Sequence, residues 1–245
     1  MWDKMIEMRN KQFDLKKCLY VGDASGREKN KYHPKDFSDT DYKFALNIGI
    51  QFKTPEEYFN IDTTKEELLV NYYNFNMLDK IDNQKIELLK SKEIIIFVGY
   101  PGSGKSYFYK KYLNSYEHIN QDTLKTKLKC FKLCMDYMKQ NKNIVIDNTN
   151  PSKEIRQKYI YMAQLNNYKC RCFYFNTDLL LSKHMNYYRS IKTNQERVPD
   201  IAYNIFKSKF EYPTLDEGFK EIKVINPIIE FENEKDKKDF FKYLF

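Results

Sequence analysis

Eight residues, GYPGSGKS from Gly99 to Ser106, restrict this chain more than any other stretch. They fit G-x-x-x-x-G-K-[ST] and stand between the apolar run EIIIFVG and a helix-forming segment, GKSYFYKKYL. A continuous apolar run of that length is what a central parallel strand, covered on both faces, requires. Gly99, Gly102 and Gly104 permit a tight turn whose N–H groups, with the helix N-terminus, aim at phosphate oxygens. The whole chain of 245 residues has only 7 glycines, so three within six positions carry information. Lys105 has the reach for β- and γ-phosphates, and the Ser106 hydroxyl suits Mg²⁺. The pattern predicts a nucleoside triphosphate held by Gly99, Pro101, Gly102, Ser103, Gly104, Lys105, Ser106 and Tyr107.

Strand-like and helix-like segments alternate beyond this loop. NIVIDN, YKCRCFYFN and FKEIKVIN read as further strands. PSKEIRQKYIYMAQ, DLLLSKHMNYYRS and DIAYNIFKSKF read as helices, and Leu124, Leu128, Phe131, Met135 and Met138 recur at helical spacing. Such alternation predicts an α/β domain with a doubly wound parallel sheet over 92–230. Residues 1–60 form a separate piece. Its strand, Leu19–Val21, runs into a glycine turn that presents Asp23, followed by a polar loop and the amphipathic segment DYKFALNIGIQFKTPEEYF. Within it, Thr54-Pro55-Glu56 is a helix start. Residues 61–91 read as a connector and 231–245 as a C-terminal tail.

Composition narrows the setting. Hydrophobic content of 42% with 31% charged residues fits a soluble globular protein, and no run approaches the roughly 18–20 apolar residues of a membrane span. The start, MWDKMIEMRNKQFDLKK, lacks a signal peptide's apolar stretch. The five cysteines lack metal-ligand spacing and have none of the three histidines nearby in sequence, so they read as core thiols of a reducing compartment, nuclear or cytoplasmic. A net charge of +8 favours a polyanionic partner.

Other residues bear on the chemistry. Asp122, in HINQDTL, either caps a helix or serves as a base on an acceptor hydroxyl. Asp147 ends the buried run NIVIDN, where an acid meets the Mg²⁺ shell indirectly or orients the base. Asn148, Thr149 and Asn150 line the same edge, or are turn residues. Asn186 and Arg189 are three apart on one helix face. An arginine there either reaches over the phosphates, stabilising charge on a transferred group, or is simply solvated.

Taken in order, GYPGSGKS, NQDTL, IDNTNPS, NYYR and YPTLDEGF resemble the 5′-kinase domain of polynucleotide kinase/phosphatases, over Ile94 to about Ile229. The resemblance implies a P-loop NTPase-type fold and Mg²⁺-dependent transfer of the ATP γ-phosphate to 5′-hydroxyl ends of DNA or RNA in end repair. It also implies that Asp122 is the general base, that Lys105 and Ser106 hold the donor, and that Asn186 and Arg189 lie on a lid over the phosphates. Lys125, Asn148 and Asn150 fall at the acceptor. Lys125 stands where phage-type relatives have an arginine, which keeps the charge but not the bidentate fork. Tyr187 stands where mammalian relatives tend to have a basic residue; it could stack a base, although packing is the commoner use.

The N-terminal piece, YVGDASGR followed by KDFSDTDYKFALNIGIQFKTPEEYF, resembles the end of the 3′-phosphatase domain of the same family, which has a haloacid-dehalogenase fold. By position, Asp23 and Asp36 would be its metal-site acids, here vestigial. The D-x-D-x-T/V nucleophile motif of such phosphatases is not found upstream of Leu19. Asp39-Thr40-Asp41 follows a polar loop, and Asp147-Asn148-Thr149 lacks the second acid. Two ligand-type carboxylates without a nucleophile cannot run the reaction, so no 3′-phosphatase activity is expected of this chain alone. The missing part is lost, truncated or supplied by a separate chain. Two other readings remain open: a P-loop kinase of a small-molecule acceptor, and a non-catalytic strand-end binding subunit.

Overall fold

Strand β3 (Glu93–Val98) is buried at all six positions, and the reason is its neighbours. It lies between β5 (Ile144–Ile146) and β6 (Lys169–Phe175), with β4 (Glu117–Ile119) and β7 (Glu221–Ile225) at the edges, in the order β4-β5-β3-β6-β7. Every pairing is parallel. Side chains alternate across a strand, so β3 feeds two cores. Ile94, Ile96 and Val98 pack with Ile144, Ile146, Cys170 and Cys172. Ile95 and Phe97 pack on the other face with Val145, Phe173 and Phe175. The computed structural model describes residues 14–29, 33–61, 68, 70, 72–75, 78, 86–89 and 91–243. The charged start at 1–13 and much of the expected connector lie outside the described residues.

Helices cover both faces, making the doubly wound parallel sheet that the alternation predicts. Helix α3 (Lys105–Tyr112) brings Phe108 against Phe97 and Phe175, edge to face at 5.9 and 5.3 Å. On the opposite face lie α5 (Lys127–Lys139) and α6 (Lys153–Leu165), and α7 (Leu179–Thr193) and α8 (Asp200–Lys209) follow β6. The structure alters the expected stripe of Leu124, Leu128, Phe131, Met135 and Met138. Leu124 ends a separate short helix, α4 (Gln121–Leu124), and Lys125 breaks the path with φ +70°. Within α5 the fully buried positions are Cys130, Cys134 and Met138, while Leu128 is 78% exposed. The three buried residues pack in one cluster with Ile144, Ile146, Cys170 and Cys172 of the sheet, where a free cysteine behaves as a small hydrophobe. All four buried cysteines are free thiols, and burial pushes Cys134 up to about 12. Strand β4 was not anticipated, since EHI is short, half polar and at a sheet edge.

Two buried ion pairs secure the ends of the sheet. Arg156 on α6 donates twice to Glu217, Nε to Oε2 at 2.8 Å and Nη2 to Oε1 at 2.6 Å. Its Nη1 also donates to the carbonyls of Asn150 (3.2 Å) and Pro151 (3.0 Å). At the other end Arg171 grips Glu93 at 2.7 and 3.0 Å, and Glu93 also accepts from the Tyr116 hydroxyl and the Leu89 N–H. Charges this deeply buried persist because every polar atom is paired.

The chain divides into two compact units, Phe75–Glu232 and Met1–Asn74 with Asn233–Phe245. The second contains β1 (Leu19–Val21) paired in parallel with β2 (Gln51–Lys53), crossed over by α1 (Thr40–Ile48). Helix α2 (Pro55–Tyr58) starts at Thr54 with a full capping box to Glu57, as the Thr-Pro-Glu start predicts. Residues 233–243, read from the sequence as part of a tail, carry α9 (Glu234–Phe240). The Asn47 side chain bonds both the N–H and the carbonyl of Tyr243, each at 2.7 Å. No helix among the described residues is long and apolar enough to cross a membrane.

Arg156→Ala would strand Glu217 in the core and release two loop carbonyls. It should cost about 3–5 kcal/mol in chemical denaturation, and Arg156→Met combined with Glu217→Leu should recover most of that loss.

Candidate active site

The carboxyl end of β3 is where the buried strand gives way to polar backbone. The Gly99 N–H turns aside to the Thr149 carbonyl (3.3 Å), and the chain enters the glycine loop. Gly102 has φ +74°, and a Cβ there would lie 2.6 Å from the Ser182 carbonyl oxygen and 3.3 Å from Asn186 Cβ. The loop therefore runs directly against the backbone of α7, which only glycine permits. Thr177 Oγ1 donates to the Ser103 carbonyl (3.2 Å) from the end of β6.

Lys105, the first residue of α3, is buried with its ammonium turned onto the loop itself. Nζ donates to the carbonyls of Gly99 (3.1 Å) and Tyr100 (2.5 Å) and to Ser103 Oγ (3.2 Å). Burial lowers its pKa to about 8, against the opposing charges of Asp147 and Asp122. The next residue, Ser106, donates from Oγ to Asp147 Oδ2 at 2.6 Å. Burial of Asp147 at the end of β5 opposes its ionisation. The His118 hydrogen bond, the Lys105 charge and the Ser106 hydroxyl outweigh it and hold the carboxyl below its usual range. Tyr107, expected at the nucleotide, is 44% exposed and gives its hydroxyl to Glu230.

The cap of α4 is Asn120, not Asp122. Asn120 Oδ1 accepts from the N–H groups of Asp122 (2.8 Å) and Thr123 (3.3 Å), and its Nδ2 donates to the Asp147 carbonyl (2.9 Å). Asp122 is thus left exposed in the first turn, close enough for its charge to act on Lys105. Asn148 Oδ1 accepts from the Gln121 N–H (2.7 Å), tying the start of α4 to the end of β5. Lys125, exposed and left-handed, closes the same helix. Asn150 departs from the expectation of an acceptor contact. It is 2% exposed, adopts φ +40°, and donates from Nδ2 to the Phe97 carbonyl (2.7 Å). Its side chain is used up in fixing the loop to β3.

Asn186, expected over the phosphates, lies against the glycine loop at Gly102 with its amide turned to protein groups. It is 1% exposed, with Nδ2 on the Val198 carbonyl (3.0 Å) and Oδ1 accepting from the Val198 N–H (3.1 Å) and Arg189 Nη2 (3.0 Å). It braces the segment after α7 and holds Arg189, whose side chain is exposed. Tyr187 lies under the Arg197 guanidinium, 4.7 Å from the ring centroid.

In the N-terminal unit, Asp23 is exposed in the turn after β1. Asp36 is bound up elsewhere. It accepts from the Ser25 N–H and hydroxyl (3.1 and 2.9 Å), the Arg27 N–H (3.1 Å) and the Arg27 guanidinium (3.0 Å). Burial opposes ionisation, but the Arg27 and Ser25 donors bring the carboxyl down to about 2. Asp41 holds the same turn through the Ala24 N–H (3.0 Å) and the Tyr20 hydroxyl (3.1 Å). Gly22 is required there, since a Cβ would meet Asp41 Oδ2 at 2.5 Å. Among the described residues no three His, Cys, Asp or Glu side chains gather into a metal-ligating group. Ser106 with the single carboxylate of Asp147 fits Mg²⁺, which takes few protein ligands and completes its shell with phosphates and water.

Gly102→Ala forces both a strained φ and a clash with the Ser182 carbonyl. It should cost about 2 kcal/mol of stability and weaken triphosphate binding at least about tenfold by calorimetry.

Residues 1–59 match the family model described as polynucleotide kinase 3 phosphatase, and residues 94–213 match an AAA domain. The bifunctional polynucleotide phosphatase/kinase of Schizosaccharomyces pombe is 38% identical over 248 residues, covering 99% of this chain and 58% of that protein. The protein designated a bifunctional polynucleotide phosphatase/kinase in Acanthamoeba polyphaga mimivirus is also 38% identical, over 99% of this chain and 65% of that one. The polynucleotide 3′-phosphatase of Saccharomyces cerevisiae is 54% identical over 41 residues, 17% of this chain and 15% of that protein. The chain spans about three fifths of the length of the two bifunctional relatives. Along nearly its whole length it resembles the polynucleotide kinase/3′-phosphatase family, with a phosphatase-type segment ahead of a P-loop domain.

Proposed function

We propose that the chain is an ATP-dependent polynucleotide 5′-hydroxyl kinase acting on the ends of DNA or RNA. The observation that carries this reading is the pairing of the Lys105–Ser106–Asp147 cluster with an exposed Asp122 that is not used to cap α4. Asp122 takes the proton of the attacking 5′-hydroxyl; the oxygen then forms its bond to the γ-phosphorus as the bond to the β-phosphate oxygen breaks. Lys105 leaves the loop carbonyls for the phosphate oxygens. Arg189, held by Asn186, supplies a second cation to the transferred group. Ser106 and Asp147 would hold Mg²⁺, which neutralises phosphate charge when bound. Lys125 and Asn148, on either side of α4, are the acceptor contacts of this reading, and the +8 net charge supports a polyanionic acceptor. We place the domain limits at 1–60, 61–91, 92–230 and 231–245, the first being the phosphatase-type remnant.

The linked 3′-phosphatase is inactive in this chain by itself. Asp36 already satisfies Arg27 and Ser25, and so serves as a structural anchor.

One oligonucleotide carrying a 5′-hydroxyl and a 3′-phosphate tests both statements. Labelled phosphate from ATP should appear at the 5′ end while the 3′ end keeps its own. Asp122→Asn should lose at least about a hundredfold in kcat, the scale of general-base catalysis; robust transfer by this variant sinks the base assignment. Nucleosides outcompeting the oligonucleotide would instead identify a small-molecule kinase, and tight ATP binding without transfer a binding subunit.

The Lys105 ammonium sets a pH dependence. Its pKa near 8 lies below that of a free lysine, so the cation is present at pH 7 and is lost as pH rises. ATP affinity should fall by about tenfold between pH 7 and 9, because about one tenth of the lysine remains charged one unit above its pKa. Lys105→Arg, charged throughout, should show a flat profile in the same titration.

A further inference from the structure

Asp147 is held by a residue that the proposed chemistry does not use. Three donors converge on its Oδ2: Ser106 Oγ at 2.6 Å, His118 Nε2 at 2.9 Å and Asn120 Nδ2 at 3.4 Å. Asn120 is committed mainly to the Asp147 carbonyl and to capping α4. Against an ionised carboxylate the Nε2 of His118 must be the protonated nitrogen, since the acid only accepts.

His118 is itself fixed from the helix that carries Ser106. The Tyr109 ring stacks on the imidazole with centroids 4.0 Å apart and planes within 11°. The Tyr109 hydroxyl donates to the Tyr116 carbonyl (2.9 Å), just ahead of β4. Ser106 and Tyr109 are one helical turn apart on α3, so the four side chains close a ring: Ser106 to Asp147, Asp147 to His118, His118 to Tyr109, and back along the helix.

This ring has a consequence for metal binding. A serine hydroxyl ligates a cation through an oxygen lone pair, so its O–H stays available to Asp147. His118 is the second close donor on Oδ2, from the side of β4. We propose that His118 is a positioning residue: it holds Asp147 Oδ2 in place toward Ser106 and the metal position. The inference deepens the reading of this cluster as an Mg²⁺–ATP site and rests on that reading. Outer-shell donors of this kind are worth about ten- to a hundredfold in metal affinity.

The test is calorimetric binding of ATP to the full chain, with Mg²⁺ and separately in EDTA. His118→Phe keeps a ring against Tyr109 but removes the donor; His118→Gln restores a side-chain N–H. His118→Phe should lose about tenfold in Mg²⁺-dependent ATP affinity and need correspondingly more Mg²⁺ for half-maximal kinase activity. Its ATP affinity in EDTA and its KM for the oligonucleotide should stay within about twofold of the parent. His118→Gln should recover most of the loss. Equal Mg²⁺–ATP affinity in His118→Phe and parent would overturn the proposal, as would an equal loss with and without Mg²⁺, which marks a packing defect. Failure of the parent chain to bind ATP at all would overturn the nucleotide-site reading itself, and this inference with it.

Discussion

Burial of β3 on both faces is the constraint from which the rest of the larger unit follows. A strand with apolar side chains at Ile94 through Val98 and partners on each edge has no polar surface along its length. Its chemistry is confined to the point where the ladder ends, at Gly99. Parallel pairing then brings β5 to the same edge, so Asp147 arrives beside Ser106. The same geometry gathers Thr149, Thr177 and Asn150 around the loop, each satisfying a backbone group that would otherwise be orphaned.

Much of the polar machinery thus serves to hold the loop. Asn150 and Asn186 have the residue type of ligands, and their side chains face inward to backbone carbonyls and N–H groups. Buried amides of this sort specify one arrangement because each unmade bond is costly. Arg156 extends the logic: its guanidinium links α6, the loop at Asn150–Pro151 and Glu217 in the turn before β7. Of the candidate residues around this edge, Asp122, Lys125 and Arg189 are among those left exposed.

The smaller unit follows the same pattern with a different outcome. Asp23 projects from the turn after β1, whereas Asp36 and Asp41 are drawn into hydrogen bonds that shape the turn. A carboxylate encircled by Arg27 and Ser25 stabilises the loop best when ionised, which is why its pKa lies so low.

The strands β3, β5, β6 and β7 and the glycine loop were legible in the residues. Long apolar runs and a fixed G-x-x-x-x-G-K-S spacing report local geometry, and local geometry is what a sequence encodes most directly. Strand β4 and the buried thiol stripe of α5 were not legible, because a three-residue edge strand and small apolar residues carry weak periodic signal. Which carboxylate or amide stays free was decided only by the tertiary structure. Asn120 caps α4 and releases Asp122, Asn186 turns to Val198, and Asp36 turns to Arg27. Each of those choices depends on a partner remote along the chain or on competition between neighbours for one N–H, and neither is written in residue type or spacing.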